Sequence, residues 1–413
     1  MHEIYSGAVL NLSAVSARDG SGGMIFDRDT LPLTPIVLEF ETSPPAGKTG
    51  KLTLFKDDWT ARVERGPVNQ RGWVFQERML APRVLYFAKD QVYWECNSLA
   101  ASETHPAADD GTLALGFTQP KKRVMCNIST SDIYLTWAGF VQAYTAGKLT
   151  YQSDRLVAIS AIARTMCEAA GLHSDDYICG HWTTHLPRSL LWIMERPGRR
   201  PAEYIAPTWS WASVEGIVLR QPNDEVDADL ITLVDISTTL KSGDPFGEVL
   251  NGYARLRGSM RRTRIRQIKA PENLDTEYLL VQLNGQAVEQ FPSGFYPSLV
   301  VDWDTEEDVL RTGIDVELHY LPFYLEGTEM DLGCHEHDAT CSPFCYTSGL
   351  ILRRTGSQGQ YRRVAFVHQF GGVDTQESLE QRSWGLLECT TSPLGEGEYL
   401  DVDNNGKCLI EIV

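Results

Sequence analysis

The feature that most narrows what this chain can fold into is a change of texture at Pro207. Upstream, apolar residues recur at helical spacing. Downstream come short β-branched and aromatic runs, at residues 231–234, 278–283, 299–301, 316–321, 350–352, 363–367 and 409–413, separated by Gly, Pro, Asn and Asp. Runs at that spacing predict a β-rich sandwich or barrel. A length of 413 residues allows two or three domains at roughly 150 residues each. The break makes it two: a mixed portion over 1–206 and a β-rich domain over 207–413, an α+β fold overall. There is no internal repeat and no low-complexity tract.

Composition narrows the partners. With 37 Lys+Arg against 55 Asp+Glu the net charge is −18, which excludes a binder of nucleic acid or of an anionic membrane, since a phosphate backbone demands a positive field. No stretch reaches the ~20 apolar residues of a membrane span. The first seventeen residues carry Glu3 and no basic cluster, a poor match to a secretory signal. Nine scattered cysteines make no disulfide framework, so a reducing, cytoplasmic setting is expected.

Upstream of Pro207, residues 5–16 read as a strand followed by the turn-rich Asp19-Gly20-Ser21-Gly22-Gly23. No Lys-Ser/Thr pair follows the glycines, so a plain turn is a better reading than a phosphate cradle. Trp73, Phe75, Met79 and Leu80 suit a short amphipathic helix ended before Pro82. Residues 84–87 and 92–94 suit a hairpin around Ala88-Lys89-Asp90-Gln91. Residues 133–170 look helical, with Ser153-Asp154 as N-cap and Gly171 just past the end. A further helix over 181–194 is interrupted by Pro187.

The run Arg71-Gly72-Trp73-Val74-Phe75-Gln76-Glu77-Arg78-Met79-Leu80-Ala81-Pro82-Arg83-Val84-Leu85-Tyr86-Phe87, continuing to Tyr93-Trp94-Glu95-Cys96, resembles the hallmark of the fungal heterokaryon-incompatibility (HET) domain family. Ile4-Tyr5-Ser6 through Ser16-Ala17-Arg18-Asp19 is similar to the strand and turn before that hallmark. Ala206-Pro207-Thr208-Trp209-Ser210-Trp211-Ala212-Ser213 resembles a motif common downstream of it. The resemblance covers about residues 1–216 and implies an α/β portion with a role in fungal self/non-self or cell-death pathways. Family members carry a preceding segment with a "YxALSYxWG"-like strand and a "LWIDxLCIxQ"-like strand and helix. Set against them, this chain begins after both, as a truncated relative. The acidic residue comparable to an NAD-cleaving glutamate lies in that segment, so NAD cleavage is not expected and no cofactor is implied.

The residues that could carry chemistry cluster in the hallmark. Glu77 and Glu95 are the candidate acid/base carboxylates with Arg78 beside them, while Arg71, Trp73, Gln76, Arg83 and Trp94 would line a ligand site. The competing reading, and the commoner outcome, is a buried Arg–carboxylate network that fixes architecture. Trp209 and Trp211 alternate as in a strand, placing both indoles on one side, to wall a pocket or fill a core. Cys334, His337, Cys341 and Cys345 are a weak zinc candidate, because their spacing matches no paired C-x2-C pattern. His181 and His185 lack the glutamate of a zinc-protease motif, and Cys179 beside them shows no sign of activation. The basic runs 261–269, 353–354 and 362–363 suit solvated strand faces. Two functions follow as expectations. The first is a HET-like interaction or signalling protein with a protein partner. The second is a cofactor-independent enzyme that cyclises or isomerises a small apolar molecule.

Overall fold

The computed structural model of the protein describes residues 2–28, 36–41, 49–54, 59–104, 106, 133–219, 228–263, 267–268, 280–281, 298–310, 317–328, 344–372 and 392–413. They fall into two units, Met1–Ser174 and Asp175–Val413. Residues 175–206, which the texture break assigns to the first portion, belong to the second unit. Backbone bonds tie them there: Gly198 N–H donates to Asp304 O at 3.0 Å, and Arg199 and Glu215 exchange bonds of 3.2 and 2.8 Å.

In the first unit α1 (His2–Ser6) precedes β1 (Asn11–Ser13), so the strand expected over 5–16 is a helical turn followed by three strand residues. A hairpin, β2 (Ile36–Glu41) and β3 (Thr49–Leu54), comes next. Then follow α2 (Gly72–Leu80), β4 (Arg83–Phe87), β5 (Val92–Cys96) and β6 (Ala100–Ser102). The helix ends where predicted: Ala81 is extended (φ −67°, ψ 127°) because the ring of Pro82 excludes the helical region. Gly72 opens it because a Cβ there would sit 2.6 Å from Leu149 Cδ2.

The sheet runs β1-β4-β5-β6, with β1 parallel to β4 and the other pairs antiparallel. Strand alternation turns Val84, Tyr86, Tyr93 and Glu95 inward, and Trp59 meets Tyr86 and Tyr93 edge-on at 6.0 and 5.7 Å. The helical stretch is two helices, α3 (Ile133–Thr145) and α4 (Val157–Ala169). Ala158, Ile159, Ile162 and Met166 form the buried stripe of α4, and Gly171 closes it at φ +66°. Its N-cap is Leu156, not Ser153 or Asp154, which sit in a preceding 3-10 turn.

The helix expected over 181–194 is absent. The segment holds a tight hairpin, β7 (Tyr177–Ile178) and β8 (His181–Trp182), two 3-10 turns, and β9 (Ile193–Met194), which pairs with β10 (Val218–Leu219). The remainder is β-rich, as expected. Its strands are β11 (Ala228–Asp229), β12 (Ile231–Leu240), β13 (Val249–Gly258), β14 (Arg261–Thr263), β15 (Gln267–Ile268), β16 (Leu280–Val281) and β17 (Ser298–Trp303), followed by β18 (Leu318–Thr328), β19 (Phe344–Arg354), β20 (Gln360–Gly372), β21 (Asp401–Val402) and β22 (Cys408–Ile412). The large sheet follows the order β11-β18-β19-β20-β22-β13-β12, with β14, β17 and β21 added along it. Every pair is antiparallel except β20 with β22. Ala254, Leu256, Leu350, Leu352, Ile410 and Ile412 are buried along these strands.

Candidate functional site

Proximity on one helix-turn-hairpin brings Arg78 and Glu95 together. Arg78 lies on the buried face of α2 and Glu95 on the inward face of β5. Arg78 Nε and Nη2 donate to Glu95 Oε2 and Oε1, each at 2.9 Å, and the Tyr86 hydroxyl donates to Oε2 at 2.5 Å. Glu95 is 1% exposed. Burial opposes the charge on Arg78, but the attraction of Glu95 outweighs it and holds the guanidinium protonated well above its ordinary value. A carboxylate so enclosed has no solvent-facing oxygen with which to take a substrate proton.

The remaining candidates around α2 point elsewhere. Glu77 is half-buried and accepts from the Tyr5 hydroxyl, a phenol pushed up to about 12 by burial and then by that carboxylate. Gln76 accepts from Ala161 N–H at 3.1 Å. Trp73 Nε1 donates to Asp154 Oδ2 at 2.9 Å, in the 3-10 turn that precedes α4. Arg71 is exposed at the helix N-cap, and the exposed Arg83 reaches Val9 O at 3.4 Å. Trp94 is half-buried on the outer face of the sheet. The predicted cluster therefore divides between a sealed ion pair and separate structural bonds. In the loop at 19–23, Asp19 accepts from Ser21 N–H and Oγ at 2.9 and 2.6 Å, a local turn in place of an anion cradle.

Trp209 and Trp211 belong to the second unit and do not alternate in a strand, which corrects the expectation from their spacing. Pro207–Ser210 is a turn, and Trp211–Ser213 a 3-10 helix capped by Ser210. The motif clamps the β7–β8 hairpin. Ser210 Oγ donates to Cys179 O at 2.7 Å, and Trp211 Nε1 donates to Gly180 O at 2.9 Å. Both turn residues have positive φ, +46° at Cys179 and +93° at Gly180. Burial pushes the Cys179 thiol up to about 12, leaving it inert. His181 is held down to about 3 by burial and by the charge of Arg363, so it stays neutral beside Ser189 Oγ at 3.2 Å.

Sequence reasoning missed the hub behind this motif. Arg363 Nη1 donates to Leu190 O at 2.5 Å, and Nη2 donates to Trp192 O and, at 3.1 Å, to Asp304 Oδ1. Its guanidinium stacks 3.4 Å over the Trp192 ring. Arg200 Nη2 reaches the other oxygen of Asp304 at 3.3 Å.

Cys334, His337 and Cys341 lie outside the described residues, and Cys345 lies in β19. Among the described residues Glu317, His319 and Glu398 place ligand atoms within 4.8 Å of one another. Arg262 already pairs with both carboxylates, and His319 Nε2 meets Glu398 Oε1 at 2.6 Å, so an arginine supplies the positive charge there. The chain matches no family model, no curated protein and no solved structure.

Proposed function

We propose that this chain is an interaction or signalling protein similar in role to the HET family, acting in the cytoplasm through protein contacts and not through catalysis. The observation that carries the reading is the closure of Glu95 by Arg78 and Tyr86: the hallmark residues build a rigid scaffold, with the central carboxylate consumed inside it. Cys179 and Cys408 are free thiols, in keeping with a reducing compartment. The finer architecture belongs to the same proposal: a HET-like first unit, and a second whose sheet curls toward a barrel. Supporting the barrel, β11 pairs with β18 while β12, one residue further on, pairs with β13.

A second reading rests on Glu77, the hallmark carboxylate left half-buried beside the phenol of Tyr5. In it the chain is an enzyme that cyclises or isomerises a small apolar metabolite, with Glu77 as its acid/base group. Induced expression in a filamentous fungus, with growth and viability as the readout, separates the two. Contact-based signalling predicts the same arrest for the parent chain and for Glu77→Gln. A folded Glu77→Gln chain that has lost the effect would overturn it in favour of the enzyme.

A further inference from the structure

The outer face of the first unit's sheet carries an apolar row in register across all four strands: Leu12 beside Leu85, Leu85 beside Trp94, Trp94 beside Ala101. Sheet faces that water bathes are polar as a rule, yet among the described residues Leu12 is 55% exposed and Leu99, just before β6, 43%. Leu85, Val92, Trp94, Leu99, Ala101 and Glu103 line a groove of about 370 Å³ on this face. That volume suits a molecule of one ring and a short chain, near the small end of ligand sites.

One of the lining residues, Glu103, is charged. Glu103 Oε2 accepts from Val92 N–H at 3.0 Å and from Arg28 Nη1 at 2.5 Å, so the backbone fixes the carboxylate in place. Oε1 has no partner among the described residues, and the side chain is 45% exposed. The Arg28 pair is a surface pair, which holds a carboxylate weakly and leaves it able to accept a second cation. An indole and a carboxylate lining one apolar groove are complementary to positive charge carried on an apolar body. The overall charge of −18 adds a field that favours such a ligand over an anion.

We propose that this groove binds a small aromatic ammonium compound, its ring on Trp94 and its ammonium on Glu103. The site is independent of the signalling reading, since it involves neither Glu77 nor the Arg78–Glu95 pair.

Saturation-transfer NMR titrations on the full chain test it with phenethylamine, 2-phenylethanol and phenylacetate, which share a ring and differ in charge. The amine should bind about threefold to tenfold more tightly than the alcohol, and the acid most weakly. Glu103→Gln should erase the advantage of the amine and leave the affinity of the alcohol unchanged. Trp94→Leu, which keeps an apolar wall if Trp94→Ala fails to fold, should weaken all three. Equal affinity for the three probes, no binding of any, or an amine preference that survives Glu103→Gln would each overturn the proposal.

Discussion

Glu95 and Asp304 are both buried carboxylates paired with arginine, one in each unit, but they are held in opposite ways. Glu95 meets an arginine 17 residues away and a tyrosine nine residues away, all within one helix-turn-hairpin. Asp304 meets Arg363 across 59 residues and Arg200 across 104. The electrostatic balance differs as well. Around Arg78 the partner's attraction exceeds the burial penalty. In the second unit burial wins on both sides: it brings Arg363 down to about 10 against the pull of Asp304, and it raises Asp304 against Arg363 and Arg200. Beyond its ion pair, Arg363 also holds the carbonyls of Leu190 and Trp192 and covers an indole. The first pair fixes a local shape, whereas the second joins segments that are distant in sequence.

The largest effect should follow from breaking that join. Arg363→Met removes the donors to two backbone carbonyls and strips Asp304 of one arginine, at a cost of about 3–5 kcal/mol to the second unit. Urea unfolding followed by tryptophan fluorescence would read it. Arg363→Lys should recover little, because an ammonium cannot reproduce the planar fork or the stack. Arg78→Met should cost the first unit nearly as much, while Tyr86→Phe costs about 1 kcal/mol. The comparison is sharpened by pairing changes. Arg78→Leu with Glu95→Leu should regain much of the loss, since no charge is then left buried alone, and a double-mutant cycle measures the coupling.

These two hubs also mark how far the sequence can be read. The helix over 72–80 and its hairpin are legible because period 3.6, a proline and period 2 follow one another locally. Alternation within the hairpin even places Tyr86 and Glu95 on the inward face. Trp209-Ser210-Trp211 misleads because two residues of apparent alternation cannot be told from a turn entering a 3-10 helix. The Cys179-Gly180 turn did leave a signal: two residues ending in glycine between the β-prone Tyr177-Ile178 and His181-Trp182 suit a two-residue hairpin loop. Arg363, in the run expected to be solvated, is 1% exposed, whereas its neighbour Arg362 faces outward. Nothing local distinguishes them; the strand pairing does, by turning alternate residues in and out.

A smaller effect separates the acid limbs of the two regions. Glu398 is held down to about 2; burial would raise it, but Arg262, His319 and the Gly395 N–H outweigh burial. A depressed carboxylate contributes stability that is present above its unfolded value of about 4.5 and is lost as pH falls toward 2. Acid titration of the second unit should therefore show a loss in that window, and Glu398→Gln should flatten it while lowering stability at neutral pH.

The smallest effect has the opposite sign and comes from Asp302, two residues before Asp304 on β17. Burial raises its carboxyl to about 6, with Arg363 opposing and Asp304 adding to the rise. For an acid whose folded value lies above its unfolded 3.8, the favourable contribution is full below pH 3.8 and disappears as pH climbs through 6. At pH 7 the ionised group is a liability that Asn would remove. Asp302→Asn should thus stabilise the second unit at pH 7 by about 1 kcal/mol after allowance for solvent screening, and should do nothing at pH 3.5. Thermal melts at the two values decide it. A gain of equal size at both would mean that the benefit is one of packing and that Asp302 is no part of the charge balance around Arg363.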